Sequence, residues 1–204
     1  RDSGLDQILL LVVVDVKVVE HVDSSALIST NVVVGEVYDN AEQIAATLLA
    51  TRVTGRLDRR EFEWQGKRLN LLLDVGHNPH AAEYLAQRLS RTPPVGRRLA
   101  VFGLLVDKDL EGVVAPLLGN VHAWAVAPLD TPRSRPAADL EVALQNLGAP
   151  VASYASVTDA LEAQCAIATP DDEILLFGSF YCVAEALEWL ARRSTEEAAH
   201  GITG

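Results

Sequence analysis

From Arg68 onward the chain alternates short apolar runs with stretches of helical periodicity about five times, and few architectures accept that order. The apolar runs are Arg68 to Asp74, Arg97 to Leu105, Val121 to Ala127, Val151 to Tyr154 and Glu173 to Phe177. Each is short and nearly continuous in apolar residues, as strands covered on both faces are. Between them the apolar spacing changes to that of helices. Asn78 is a good N-cap and Pro79 a good first helical residue, and Ala82, Leu85, Ala86 and Leu89 follow on one face. Leu110, Val113, Val114, Leu117 and Leu118 continue the pattern, with Pro116 inside it to shorten or kink that helix. Pro136 opens a helix with Leu140, Ala143, Leu144 and Leu147 inward, closed by Gly148. Ser156 and Asp159 form a capping box ahead of Leu161 and Cys165, and Tyr181 to Arg193 is the last helix. Strands joined by helices run parallel, so the expectation is an α/β fold with a doubly wound, mostly parallel sheet.

That sheet has an edge hairpin. Asp58 to Trp64 alternates charged and aromatic residues, Gln65-Gly66-Lys67 turns the chain, and Arg68 to Asp74 returns. A boundary near Val53 separates an α/β domain over residues 54–193 from an uncertain leader and linker over 1–53 and a tail over 194–204. The leader is harder to read. Ile8 to Val19 and Asn31 to Val37 suit strands, Asn40 to Thr51 suits a helix, and His21 has no partner at ligand spacing.

Composition excludes several classes. A formal net charge of −11, with no basic patch, argues against a nucleic-acid binder. The chain has no methionine and starts at Arg1, which reads as a piece of something longer. No apolar run reaches the length of a membrane span. Cys165 and Cys182 sit among apolar neighbours and read as buried thiols of a cytoplasmic protein.

The polar residues worth attention all fall after strands. Asp74, His77 and Asn78 follow one, Asp107, Lys108 and Asp109 the next, Asp130 and Arg133 the third, and Ser179 the last. In a parallel sheet those ends share one rim, where ligands bind. Each residue also has a plainer reading. Asp74 could cap a turn, and Asn78 caps a helix in any case. Lys108 is either a solvated lysine or a cation for a substrate carboxylate. Ser179 caps a helix or serves an anion. His77 fits a hydrogen-bonding role toward a substrate or nucleotide better than metal ligation, for which His80 is weak support. The P-loop, the dinucleotide glycine fingerprint, the nucleophile elbow and cysteine-based metal spacing are all missing from the sequence. Spacing alone stops at a ligand-binding α/β domain.

The segments Leu73-Asp-Val-Gly-His-Asn-Pro-His-Ala-Ala82, Ala100-Val-Phe-Gly-Leu-Leu-Val-Asp-Lys-Asp109, Ala127-Pro-Leu-Asp-Thr-Pro-Arg133 and Leu176-Phe-Gly-Ser-Phe-Tyr181 carry a stronger signal. In that order they resemble the folylpolyglutamate synthase/dihydrofolate synthase family of the Mur-ligase superfamily. Gly55-Arg56-Leu57 is similar to that family's Gly-Arg-Phe turn, and the likeness covers roughly residues 42 to 193. It implies a Rossmann-like carboxy-terminal domain of an ATP-dependent ligase. Such a ligase activates a folate or dihydropteroate carboxylate as an acyl phosphate, which the amine of L-glutamate attacks. By the resemblance Arg56 and Asp74 contact ATP, and His77 and Ser179, with Asn78 beside them, hold glutamate. Lys108 lies where the superfamily uses a lysine for an amino-acid carboxylate.

The phosphate loop, the Mg2+ ligands and a modified lysine belong, in that family, to an amino-terminal ATPase domain absent from this chain. ATP and Mg2+ would be held mostly there, and no metal ligand is assigned here. The chain alone is expected to be inactive. Residues 1–34 do not resemble the family's preceding sequence. The rival reading is a non-catalytic small-ligand or interaction module that kept the fold.

Overall fold

The computed structural model describes residues 10–12, 28–31 and 55–200. The helix expected over 40–51, His21 and the strand expected beyond Asn31 lie outside them. The chain forms two compact units, residues 1–58 and 59–204. In the first, β1 (Leu10–Val12) and β2 (Ile28–Asn31) pair in parallel. A turn at Gly55, with φ at +79°, is closed by its amide donating to Asp58 Oδ2 at 3.4 Å.

The second unit is built on a six-stranded sheet. Its strands are β3 (Asp58–Trp64), β4 (Lys67–Asp74), β5 (Arg98–Phe102), β6 (Ala123–Val126), β7 (Val151–Ser153) and β8 (Glu173–Phe177). The helices are α1 (Pro79–Arg91), α2 (Leu110–Val114), α3 (Ala137–Asn146), α4 (Val157–Ile167) and α5 (Phe180–His200). The strand order is β3-β4-β8-β5-β6-β7, and every pair from β4 to β7 is parallel. β3 and β4 form the edge hairpin. Gln65 and Gly66 both adopt positive φ, +48° and +77°, the turn geometry whose twist matches two antiparallel strands.

Helices cover both faces. Leu71, Leu73, Val101, Leu176 and their neighbours on one face share a core with Leu161 and Cys165 of α4 and Cys182 and Trp189 of α5. The alternate residues point the other way, where the rings of Phe102, Trp124 and Phe177 pack 4.8 to 6.0 Å apart. On that side α1 buries Ala82, Leu85, Ala86 and Leu89 and packs against α2. The sheet is therefore doubly wound, as the alternation of runs predicts.

Local breaks have local causes. α2 stops at Val114 and continues as a 3-10 turn over Ala115–Leu117, because Pro116 lacks the amide that an α-helical bond would use. The last helix corrects the sequence reading, which ends it at Arg193 and assigns a tail from Ser194; it runs to His200. Residues 194–200 are mostly helix formers, and no breaker arrives before Gly201. Upstream, the Arg193 guanidinium stacks 4.4 Å from the Trp64 ring centre and 5.1 Å from that of Trp189, fixing the helix against the hairpin.

Candidate functional site

The strand order creates the site. β4 and β8 are neighbours, yet β4 leads into α1 on one face and β8 into α5 on the other. Their outgoing loops diverge and leave a crevice at the carboxyl edge, the topological switch point of open α/β sheets. The register pairs Asp74 with Phe177 across β4 and β8, and Phe102 with Phe177 across β5 and β8. So the loop carrying Ser179 leaves the sheet between the loop carrying His77 and the loop carrying Lys108.

Close approach at this edge requires glycine. Gly178 has φ at +108°, and a Cβ there would fall 2.4 Å from the carbonyl oxygen of Gly103. A side chain at Gly103 would in turn meet Leu129 at 2.6 Å. At Gly178 the conformation and the space both exclude larger residues.

Each rim side chain is held from behind. The Asp74 side chain, 8% exposed, accepts the Gly76 amide at 2.7 Å. His77 Nδ1 lies 2.9 Å from the carbonyl oxygen of Val75. Asn78 Oδ1 accepts the Ala81 amide at 2.9 Å, the N-cap of α1. The Ser179 hydroxyl oxygen accepts the Tyr181 amide at 3.1 Å, and this serine is 3% exposed. Asp109, read from sequence only as part of a polar cluster, caps α2 by accepting the Gly112 amide at 3.0 Å.

Lys108 lies in a cross-linked pair of loops. Its Nζ is 3.0 Å from Asp107 Oδ2, and Arg133 Nη2 donates to Asp107 Oδ1 at 2.9 Å. Hydrogen bonds from Lys108 first, and then Arg133, hold the Asp107 carboxylate at about 2. Arg135 Nη2 donates to the carbonyls of Val106 and Lys108, each at 2.8 Å, and an isolated bridge joins Leu105 to Ser134. The loops after β5 and β6 thus form one body, in which Arg133 and Arg135 are struts.

His77, Ser179 and Lys108 are therefore brought to adjacent loops of one edge. Arg56 is exposed and belongs to the first unit. Sequence reasoning missed Phe180. Its ring centre lies 6.1 Å from that of His77, and the side chain is 46% exposed. The available signal was an aromatic residue at the start of a helix, directly after Gly178-Ser179. Burial pushes the Cys165 thiol up to about 12 and raises that of Cys182 as well, so neither is a nucleophile. Among the described residues no group of three or more His, Cys, Asp or Glu side chains is placed to hold a metal ion. No helix among them is long and apolar enough to cross a membrane.

A doubly wound sheet with polar loops at one switch point is an architecture that α/β domains use to bind ligands. Comparison with known proteins narrows the class: the family described as "Mur ligase, glutamate ligase domain" matches residues 55–180, and the chain belongs to that family. Similar proteins include the dihydrofolate synthase/folylpolyglutamate synthase of Escherichia coli, 41% identical over 162 residues, or 78% of this chain and 35% of that protein. Among solved structures, E. coli FolC in complex with DHPP and ADP is similar with a TM-score of 0.63 and 38% identity, covering 78% of this chain and 36% of that one. A bifunctional folylpolyglutamate synthase/dihydrofolate synthase with Mn, AMPPNP and L-glutamate bound aligns with a TM-score of 0.61 and 34% identity, over 76% of this chain and 36% of that one. The chain thus spans about a third of the length of these relatives.

Proposed function

We propose that this chain is the carboxy-terminal domain of an ATP-dependent amide ligase that adds L-glutamate to dihydropteroate, folate or both through an acyl phosphate. The observation that carries the reading is the crevice between the β4 and β8 loops. It lies between the loop that carries His77 and the loop that carries Ser179, which leave neighbouring strands, in a chain of the glutamate ligase domain family. Relatives whose structures hold ADP with DHPP, or AMPPNP with Mn and L-glutamate, support the same ligands here.

In this reading ATP supplies the phosphoryl group, and an amino-terminal ATPase domain holds most of it together with Mg2+. Arg56 and Asp74 are this chain's contacts to the nucleotide. A carboxylate already aligned by the Gly76 amide suits ribose hydroxyls, which donate to it. The arginine suits phosphate charge. His77, Ser179 and Asn78 bound the glutamate subsite, with Lys108 at its far side for a carboxylate. Closing this domain on its partner would exclude water from a hydrolysable intermediate. The chain by itself is proposed to be inactive, since positioning and charge neutralisation need both halves. The buried Cys165 and Cys182 thiols agree with a cytoplasmic setting.

The test is Asp74→Ala in the complete ligase. It is expected to lower kcat/KM for ATP by about 100-fold or more, the scale of a lost buried charge contact of roughly 3 kcal/mol, with folding checked by circular dichroism. Unchanged ATP kinetics remove Asp74 from the site. Calorimetry on this chain alone separates the rival module: tight ATP or glutamate binding without the partner domain favours a stand-alone binder.

A further inference from the structure

We propose that Arg135 is a positioning residue for the incoming amino acid, acting through Lys108; the proposal rests on the glutamate-ligase reading above. One nitrogen, Arg135 Nη2, donates to the carbonyl oxygens of Val106 and Lys108, each at 2.8 Å. Those carbonyls bracket the dipeptide Asp107-Lys108, so a single side chain fixes the backbone on either side of it. Just beyond, the Asp109 carboxylate caps α2 through the Gly112 amide at 3.0 Å. The place from which Lys108 leaves its loop is therefore set by a residue of another loop, 27 positions away. A lysine carries its charge on a flexible stem, so the anchoring of its backbone decides where the ammonium can reach. Small displacements of a binding group are costly.

The strut has a firm base. The Arg135 amide donates to the Leu104 carbonyl at 2.9 Å, and the Val106 amide to the Arg133 carbonyl at 3.0 Å, around the antiparallel bridge of Leu105 and Ser134. The Ser134 hydroxyl accepts the Leu129 amide at 2.7 Å and donates to the Arg135 carbonyl at 3.1 Å. Leu129, itself buried, packs over Gly103, where a Cβ would meet it at 2.6 Å. The loop after β6 is thus anchored in the core before Arg135 reaches across. Arg133 braces the same turn differently. Its 2.9 Å bond runs to the Asp107 carboxylate, with the two side chains 55% and 42% exposed, where water and salt screen the pair. The partners of Arg135 are neutral carbonyls. Its Nε is buried without a hydrogen-bond partner among the described residues, so the guanidinium lies where those two carbonyls hold it, at the cost of one unmet donor.

Kinetics of the complete ligase test this. Arg135→Ala is expected to raise the KM for L-glutamate about tenfold, with kcat and the KM for ATP held within about twofold. A glutamate KM that does not move overturns the proposal. Lys108→Ala is expected to raise the same KM. The double substitution is then no worse than Lys108→Ala alone, because a strut has nothing to hold once its lysine is gone. Factors that multiply overturn the proposal, since Arg135 then acts without Lys108. Arg135→Lys keeps the charge, but its ammonium sits one bond short of Nη2, and it is expected to behave like Arg135→Ala. Full recovery with lysine assigns the effect to charge and overturns positioning. Circular dichroism checks folding; if Arg135→Ala does not fold, Arg135→Lys carries the same cycle with Lys108→Ala. Hydrogen exchange over residues 105–109 is expected to quicken in the Arg135 variants, and protection equal to the parent's overturns the strut. An unmoved glutamate KM in Lys108→Ala overturns this proposal alone. Absence of glutamate-dependent turnover in the unsubstituted ligase overturns the ligase reading and this proposal with it, and is seen before any variant is made.

Discussion

The two ends of the β4-β8-β5 sheet carry charge in opposite ways. At the amino end, Arg98 and Glu173 are register partners, 2% and 4% exposed, and Arg98 Nε donates to Glu173 Oε1 at 2.8 Å. Arg59 pairs with the same carboxylate from β3. Arg98 also donates to the Thr92 carbonyl at 3.0 Å. Alongside, the Asp172 carboxylate accepts the Arg97 amide at 2.6 Å, the Arg97 guanidinium at 2.9 Å and the Thr169 amide at 3.0 Å. At the carboxyl end, His77 Nδ1 and the Ser179 hydroxyl oxygen each meet the backbone of their own loop. The buried pairs at the amino end tie strands and loops distant in sequence to one another, whereas the His77 and Ser179 contacts stay within single loops.

Breaking the amino end should cost stability and leave the rim chemistry alone. Glu173→Ala strands the buried Arg98 guanidinium and is expected to destabilise the domain by about 3–5 kcal/mol in urea unfolding; a loss under about 1 kcal/mol would mean that Arg98 reaches water.

Asp172→Asn sharpens the contrast. Burial of this carboxylate raises its pKa, but hydrogen bonds from Arg97 and Thr169 outweigh burial and hold it at about 2, below the ordinary 3.8. Because the folded value is the lower one, the stabilisation is present above pH 3.8 and is lost as pH falls through 2. The parent is expected to exceed the variant by on the order of 2 kcal/mol at pH 7, with the two converging by pH 2. A gap that persists at pH 2 would trace the loss to packing and not to charge.

The smallest effect belongs to Asp107, the exposed rim aspartate also held at about 2, by Lys108 and Arg133. Asp107→Asn is expected to leave the melting temperature unchanged. In the parent, 1 M salt is expected to move the Asp107 titration toward the ordinary value and leave that of Asp172 in place. Equal salt sensitivity at both ends would erase the distinction.

Much of this was legible in the chain, for reasons that differ by residue. Asp58 to Trp64 and Glu173 to Phe177 were readable as strands because alternation and unbroken apolar runs are local signals. Pro116 announced the break in α2. Asp74, His77 and Ser179 were readable as residues at or just past strand ends because polar residues directly after apolar runs mark those ends. The insertion of β8 between β4 and β5 was not legible, since pairing across distant segments leaves no periodic trace. Nor was the amino-end network: Arg97 and Arg98 look like surface charge until Asp172 and Glu173 arrive beside them. Phe180 was missed because its contact with His77 joins two loops remote in sequence.

The placement of β8 has a kinetic consequence. Asn70 finds its partner in Glu173, so the strand that completes the centre of the sheet leaves the ribosome after all the others. Until it arrives, β4 and β5 lack the strand that lies between them in the sheet. Contacts of such long sequence separation slow folding, and exposed strand edges are where a nascent chain is vulnerable to misassembly. The crevice between the β4 and β8 loops therefore comes into being in the same event that closes the sheet, and no half-built version of it precedes the folded domain.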